Sequence, residues 1–156
     1  MQSGVGFYSD DWLYHASGMT SYHCGTNNNE EGWMPMSVEL SDCGHYVQTV
    51  LQGPIDIALI KAARTESLPL FFGTCDRALV DFRLAETGHI SFIDVDDLCI
   101  SFKEDVPRCN RMVMVISPDA DKRRYAYLAN AHCIAGVETD FFENMGDARA
   151  WLLERI

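Results

Sequence analysis

The sequence predicts an α/β domain, a mixed β-sheet of about five strands with about four helices, from about Met36 to Ile156 behind an irregular segment of residues 1–35. Three observations predict it. His45–Gln52 alternates apolar and polar residues, as a half-buried strand does. Ala78–Phe82 and Arg111–Ile116 are short apolar runs of the kind that fill the centre of a sheet. Between and after them lie stretches whose apolar residues recur at helical spacing, bounded by capping and turn residues.

Taken in order, residues 1–35 carry scattered glycines and the polar run Thr26-Asn27-Asn28-Asn29-Glu30-Glu31, with no sustained period of 3.6 or 2. Their aromatics, Phe7, Tyr8, Trp12, Tyr14, Tyr22 and Trp33, exceed what a disordered tail carries and suit contact with a partner or a second copy. Ser37–Leu40 and His45–Gln52, joined through Asp42-Cys43-Gly44, read as an antiparallel hairpin. Pro54 suits the first position of a helix with Ile55, Ala58, Leu59 and Ala62 on its buried stripe, and Pro69 stops it.

Ala78–Phe82 follows as a buried strand, then a helix capped by Ser91 and carrying Ile93, Leu98 and Phe102. Arg111–Ile116 is the clearest buried strand. Ser117-Pro118-Asp119 turns the chain into a helix with Tyr125, Leu128, Ala129 and His132 that ends at Gly136. Val137–Phe142 reads as an edge strand, and Asn144-Met145-Gly146-Asp147 caps a last helix with Ala148, Trp151, Leu152 and Ile156 on one face. The order is β-β-α-β-α-β-α-β-α, with parallel strands and right-handed crossovers after the hairpin.

Composition narrows the function classes. A chain of 156 residues with 47% apolar residues can bury a single core without metal or disulfide staples. Its longest apolar runs fall far short of the roughly 20 residues that span a bilayer, so no membrane span is expected. The first residues carry acid where a secretory signal carries Lys or Arg, which predicts a cytoplasmic protein. The six cysteines form no C-x-x-C pair and read as reduced thiols, with Cys99 and Cys133 at positions a helix would bury. A net charge of −11 repels phosphate backbones, so no nucleic-acid partner is expected, and Lys122-Arg123-Arg124 reads as a solvated helix face.

Several stretches together resemble the SpoIIAA-like, or STAS-like, bacterial proteins. They are Arg77-Ala78-Leu79-Val80-Asp81-Phe82-Arg83, Ser91-Phe92-Ile93-Asp94, the strand Met112–Ile116, and the ending Phe141-Phe142-Glu143 through Ala148-Arg149-Ala150-Trp151-Leu152. The resemblance extends from Met36 to the end of the chain. It implies a βα superhelical fold and a non-enzymatic role, either as a regulator switched by phosphorylation or as a sensor of a small ligand. In the phosphorylated relatives the acceptor serine follows an Asp near a helix start. Here the stretch reads Phe92-Ile93-Asp94-Val95-Asp96-Asp97-Leu98, with Val95 at the acceptor position, so that switch lacks its hydroxyl. Asp96 and Asp97 read as helix N-terminal charges, or as a mimic of the phosphorylated state.

Residues able to carry chemistry are scattered. His15, His23, His45, His89 and His132 fall in different elements, no G-x-S-x-G or phosphate-binding loop is present, and His132-Cys133 would point different ways on a helix. No metal or other cofactor is therefore expected. Alternation places Asp81 and Arg83 opposite Val80 and Phe82, and the C-terminal strand ends near Arg83, Ser117 and Phe142 suggest a crevice. The sequence thus predicts a non-catalytic binding or regulatory module. Arg83, Asp94, Asp96, Ser117, Trp12 and Trp33 are its candidate contacts to a protein partner or second copy. The alternatives are a carrier or sensor of a small apolar ligand, and an enzyme with an unrecognised Cys/His site.

Overall fold

The computed structural model describes residues 34–154. The hairpin is β1 (Met36–Leu40) and β2 (Val47–Pro54), paired antiparallel from Met36↔Leu51 to Leu40↔Val47. Its turn closes through Gly44 N–H donating to the Ser41 carbonyl at 2.8 Å and Ser41 N–H to Tyr46 at 2.9 Å. Helix α1 (Ile57–Ser67) follows, then a short 3-10 turn (Leu68–Leu70) that contains Pro69. Pro54 ends β2 instead of opening the helix: the first turn is capped by Asp56, whose carboxylate accepts from Leu59 N–H at 2.8 Å. The buried face of α1 shifts with that start. It is Ala63, Arg64 and Ser67, with Leu59 packed against the core as expected and Ile55 buried just ahead of the helix, while Ala58 and Ala62 are exposed.

Strand β3 (Arg77–Glu86) is longer than the apolar run that announced it, because it stays paired with β2 past a register shift at Val50/Gln52. Helix α2 (Phe92–Asp105) begins at Ser91 with a full capping box. Ser91 Oγ accepts from Asp94 N–H at 3.2 Å, and the Asp94 carboxylate accepts from Ser91 N–H at 2.9 Å. Leu98 and Phe102 face the core as expected. Ile93, at 74% exposure, does not.

Strand β4 (Arg111–Val115) is buried along its whole length. Helix α3 (Lys122–Ile134) ends as the left-handed conformation of Gly136 (φ 91°) lets Gly136 N–H reach the Cys133 carbonyl and Val137 N–H the His132 carbonyl. Strand β5 (Glu138–Phe142) forms the far edge, and helix α4 (Met145–Leu153) is capped by Asn144.

The sheet is therefore five strands in the order β1-β2-β3-β4-β5, antiparallel at the hairpin and parallel from β2 onward, with four α-helices. Strands in sequence order joined by crossovers of one hand place every crossover helix on the same face. That face carries Leu51, Phe82, Met114 and Ile116, packed with Val95 and Cys99 of α2 and Tyr125 and Ala129 of α3. The other face carries Leu79, Val113 and Val115 and is covered by Ala148 and Leu152 of α4.

Replacing Ser91 with alanine removes an N-cap and half of a capping box. The expected result is a loss of about 1 kcal/mol in urea unfolding, seen as a lower midpoint at unchanged slope. An unaltered midpoint would show that α2 is held by packing alone.

Candidate functional site

Helix α1 meets the sheet with small or polar residues, and this leaves space. Ala63 and Ser67 stand over Thr49 and Ala78 of the sheet, and none of the four is large enough to fill the layer between them. The result is a cavity of about 90 Å³ beneath α1, α2 and α3, walled largely by Val47, Leu51, Phe71, Phe102, Met112 and Met114. The walls are almost wholly apolar. Arg64 and His132 are its two ionisable lining groups.

Arg64 is a charge carried into the interior, and its partners account for it. Its Nη1 donates to Asp105 Oδ2 at 2.8 Å and Ser101 Oγ at 3.1 Å, its Nη2 donates to the Leu98 carbonyl at 2.7 Å, and the guanidinium stands over the Phe102 ring at 4.9 Å. Burial pulls the Arg64 pKa below its usual value, and the Asp105 carboxylate opposes that shift. An ion pair with so many bonds ties α1 to α2. Breaking one side of it would strand a buried charge.

His132 is 4% exposed, and burial pushes its pKa down to about 4. Nδ1 lies 2.9 Å from the Leu128 carbonyl, an acceptor, so Nδ1 carries the proton and Nε2 is left as an acceptor. The ring stands edge-on to Phe102 with centroids 5.1 Å apart, and the Cys99 thiol lies 3.5 Å from Nδ1 and 3.7 Å from Nε2. A Cys beside a His is the one nucleophile and base arrangement in the described residues that sequence spacing did not announce. Its electrostatics oppose catalysis, because burial pushes the Cys99 thiol up to about 11 while His132 is hard to protonate. A reactive thiolate needs the reverse.

Cys109 is likewise pushed up by burial, to about 12. Cys133 is exposed instead of buried in its helix, because the side chain turns towards β5, where Thr139 N–H lies 3.4 Å from its sulfur. His132 and Cys133 thus point apart, as adjacent helical residues do. Among the described residues no three His, Cys, Asp or Glu side chains converge as a metal site would require.

The expected sheet-end crevice is also present, with a different cause. Arg83 and Ser117 both border a hollow of about 420 Å³ between the β3–α2 and β4–α3 connections, together with Asp119, Asp121 and Arg124. A crevice of the doubly wound kind opens where successive connections leave for opposite faces of the sheet. Here α2 and α3 lie on the same face, so no such switch point exists, and Phe142 turns under α4 against Trp151 instead of joining the rim. Arg83 is committed locally: Nε and Nη2 form a forked pair with Asp81 at 3.0 and 2.7 Å. Asp81 is 6% exposed rather than a freely solvated strand-end charge.

The structure does not bring Asp94 and Asp96 to this hollow. Asp94 is the capping carboxylate of α2, and its hydrogen bonds with Ser91 hold its pKa below the usual range. Asp96 lies in the second turn, beyond the reach of the capping role expected for it, and accepts from the Tyr127 hydroxyl of α3 at 2.6 Å. Val95 between them is 5% exposed and packs in the core, so the position lacks both a hydroxyl and access. The basic cluster is partly consumed: Lys122 pairs with Glu143, and Arg124 donates to the Thr87 and Ile90 carbonyls. Trp12 and Trp33 lie outside the described residues.

Two outcomes follow from this electrostatic picture. Peptide mapping after brief alkylation at neutral pH is expected to find Cys43 modified and Cys99 and Cys109 spared until denaturant is added. Cys43 is exposed, and its bond with Ser41 pulls its thiol pKa down. Fast labelling of Cys99 would overturn the assignment of a quiet buried pair. For His132 the folded pKa lies below the unfolded one, near 6.5, so between these values the unfolded chain binds more protons. Stability should therefore fall as pH drops from about 6.5 to about 4, and His132→Gln should flatten that slope in urea titrations. Equal slopes for both proteins would contradict it.

No family model matches the chain, and no curated protein matches it. Among solved structures it is similar to an uncharacterised DUF3478-family protein with a SpoIIAA-like fold from Shewanella loihica PV-4. The identity is 21% over 82% of this chain and 99% of that chain, with a TM-score of 0.46. No helix among the described residues is long and apolar enough to cross a membrane.

Proposed function

We propose that this domain is a non-catalytic binding module whose cavity beneath α1–α3 holds a small, largely apolar molecule. The observation that supports the reading is the cavity itself: space walled by apolar side chains, with few polar groups set among them, is the usual form of a small-molecule site. The quiet Cys99 and His132 pair supports the non-catalytic part, since neither group is held in its reactive form. Val95 supports a regulator that works without the serine phosphorylation of the resembling proteins.

A second reading takes the hollow bordered by Arg83 and Ser117 as a contact surface for a protein partner. It is favoured by the polar rim, whose Arg83 guanidinium is held in a fixed orientation by Asp81. The two sites share Phe82 as a wall but differ in their polar residues, which makes them separable by experiment.

Native mass spectrometry of the protein purified from the cells that make it is the test. A co-bound small mass that is released on acid denaturation and is retained by Arg83→Ala is the expected result. Apo protein alone would sink the cavity reading, and a co-purifying protein mass lost specifically in Arg83→Ala would favour the hollow.

A further inference from the structure

The polar groups of the cavity constrain the charge of anything that enters it. A buried arginine in a ligand pocket ordinarily invites a carboxylate or phosphate. Arg64 is largely committed: three of its five N–H groups go to the Asp105 carboxylate at 2.8 Å, the Leu98 carbonyl at 2.7 Å and the Ser101 hydroxyl at 3.1 Å, and Asp105 balances its charge. An anion entering the cavity would compete with Asp105, which stands outside the lining and is 37% exposed, for that one positive charge. It would also give up its own hydration among apolar walls.

His132 offers no compensation. Its Nδ1–H is spent on the Leu128 carbonyl, so the face it can turn to a ligand is the Nε2 lone pair, which attracts a donor and repels an anion. Ser67 Oγ likewise donates to the Arg64 carbonyl at 2.7 Å. The remaining walls are aliphatic, Phe and Met side chains with the Thr49 hydroxyl as the one further polar group, too little to hydrate a charge. A cation fares no better, since it would meet the positive charge of Arg64 with no unpaired carboxylate in the lining.

From this geometry we infer that the cavity selects uncharged molecules and rejects carboxylates of the same shape, despite the arginine in its wall. The inference rests on the cavity reading above and adds the chemical class of the ligand: a neutral, mainly apolar compound whose few polar atoms meet the Thr49 hydroxyl or, in place of the Cys99 thiol, His132 Nε2. Its size is bounded too. Engineered apolar cavities of about 150 Å³ admit benzene or xenon, so a void of about 90 Å³ suits ligands smaller than an aromatic ring unless α1 moves.

Nitroethane and propanoate make a matched pair of probes within that size, nearly identical in shape and differing in charge. Met112 and Met114 both line the cavity, so their methyl groups in methionine-methyl-labelled full-length protein report occupancy directly by NMR. The expected result is that nitroethane shifts both resonances, and that propanoate leaves them in place at tenfold higher concentration. Propanoate acting at the same concentration as nitroethane, or alone, would overturn the charge selectivity while leaving the cavity reading intact. If neither compound moves the two methyl groups, the cavity reading fails along with the inference.

Discussion

Sequential parallel pairing of β2 to β5 is the constraint on which the rest of the molecule depends. Once neighbouring strands in the chain are neighbours in the sheet, crossovers of one hand must lay α1, α2 and α3 side by side on one face. The opposite face is left to the last helix, α4, which packs Ala148 and Leu152 on Leu79, Val113 and Val115. This explains why β4 is buried at every position: it lies under a helical layer on both sides. It also explains why the sheet end has no switch point, since no two successive parallel connections diverge.

The same arrangement produces the cavity. Three helices on one twisted sheet must each contribute enough side-chain volume to fill the layer beneath them, and two of the three do. Helix α2 contributes Val95, Leu98, Cys99 and Phe102, and α3 contributes Tyr125, Ala129 and His132. Helix α1 buries only Ala63, Arg64 and Ser67, with Leu59 and Ile60 half-buried at its edge. Arg64 then reaches sideways to α2 instead of down to the sheet, because its charge needs Asp105 and the Leu98 carbonyl more than the space needs filling. The void and the interhelical ion pair are thus one feature with a common cause. A larger apolar residue at position 64 would fill the layer and free the helix from its neighbour.

Much of the fold was legible because it rests on local signals that point the same way. Ser91 before an apolar run, Asn144 before another, and Gly136 after a third each fix a helix end, and the run at Arg111–Val115 has no plausible place except the sheet centre. The errors fell where two local signals competed. Pro54 was compatible with a helix start, but Asp56 offered a side-chain acceptor two residues later and its cap set the register of α1. That shift moved the buried face from Ala58 and Ala62 to Ala63 and Arg64, and with it hid the cavity from sequence reasoning. An arginine at a helical core position was the available signal. Cys99 and His132 are 33 residues apart and meet only through the packing of α2 on α3, which no spacing rule encodes.

Position 95 shows how the fold closes one site to phosphorylation. A phosphoacceptor must present its hydroxyl to another protein, whereas Val95 points into the core beside Cys99 at the layer that roofs the cavity. Charge at that position would have to be buried, at a cost no helix dipole offsets. What the domain offers instead is an under-filled layer whose occupancy changes its free energy. A molecule bound only by the folded state stabilises it by RT ln(1 + [L]/Kd), so at a hundredfold excess over Kd the layer gains about 2.7 kcal/mol. Such a gain is felt first by α1, the helix that contributes least to the core and is anchored sideways through Arg64. On this reading occupancy of the cavity tightens α1 against the sheet.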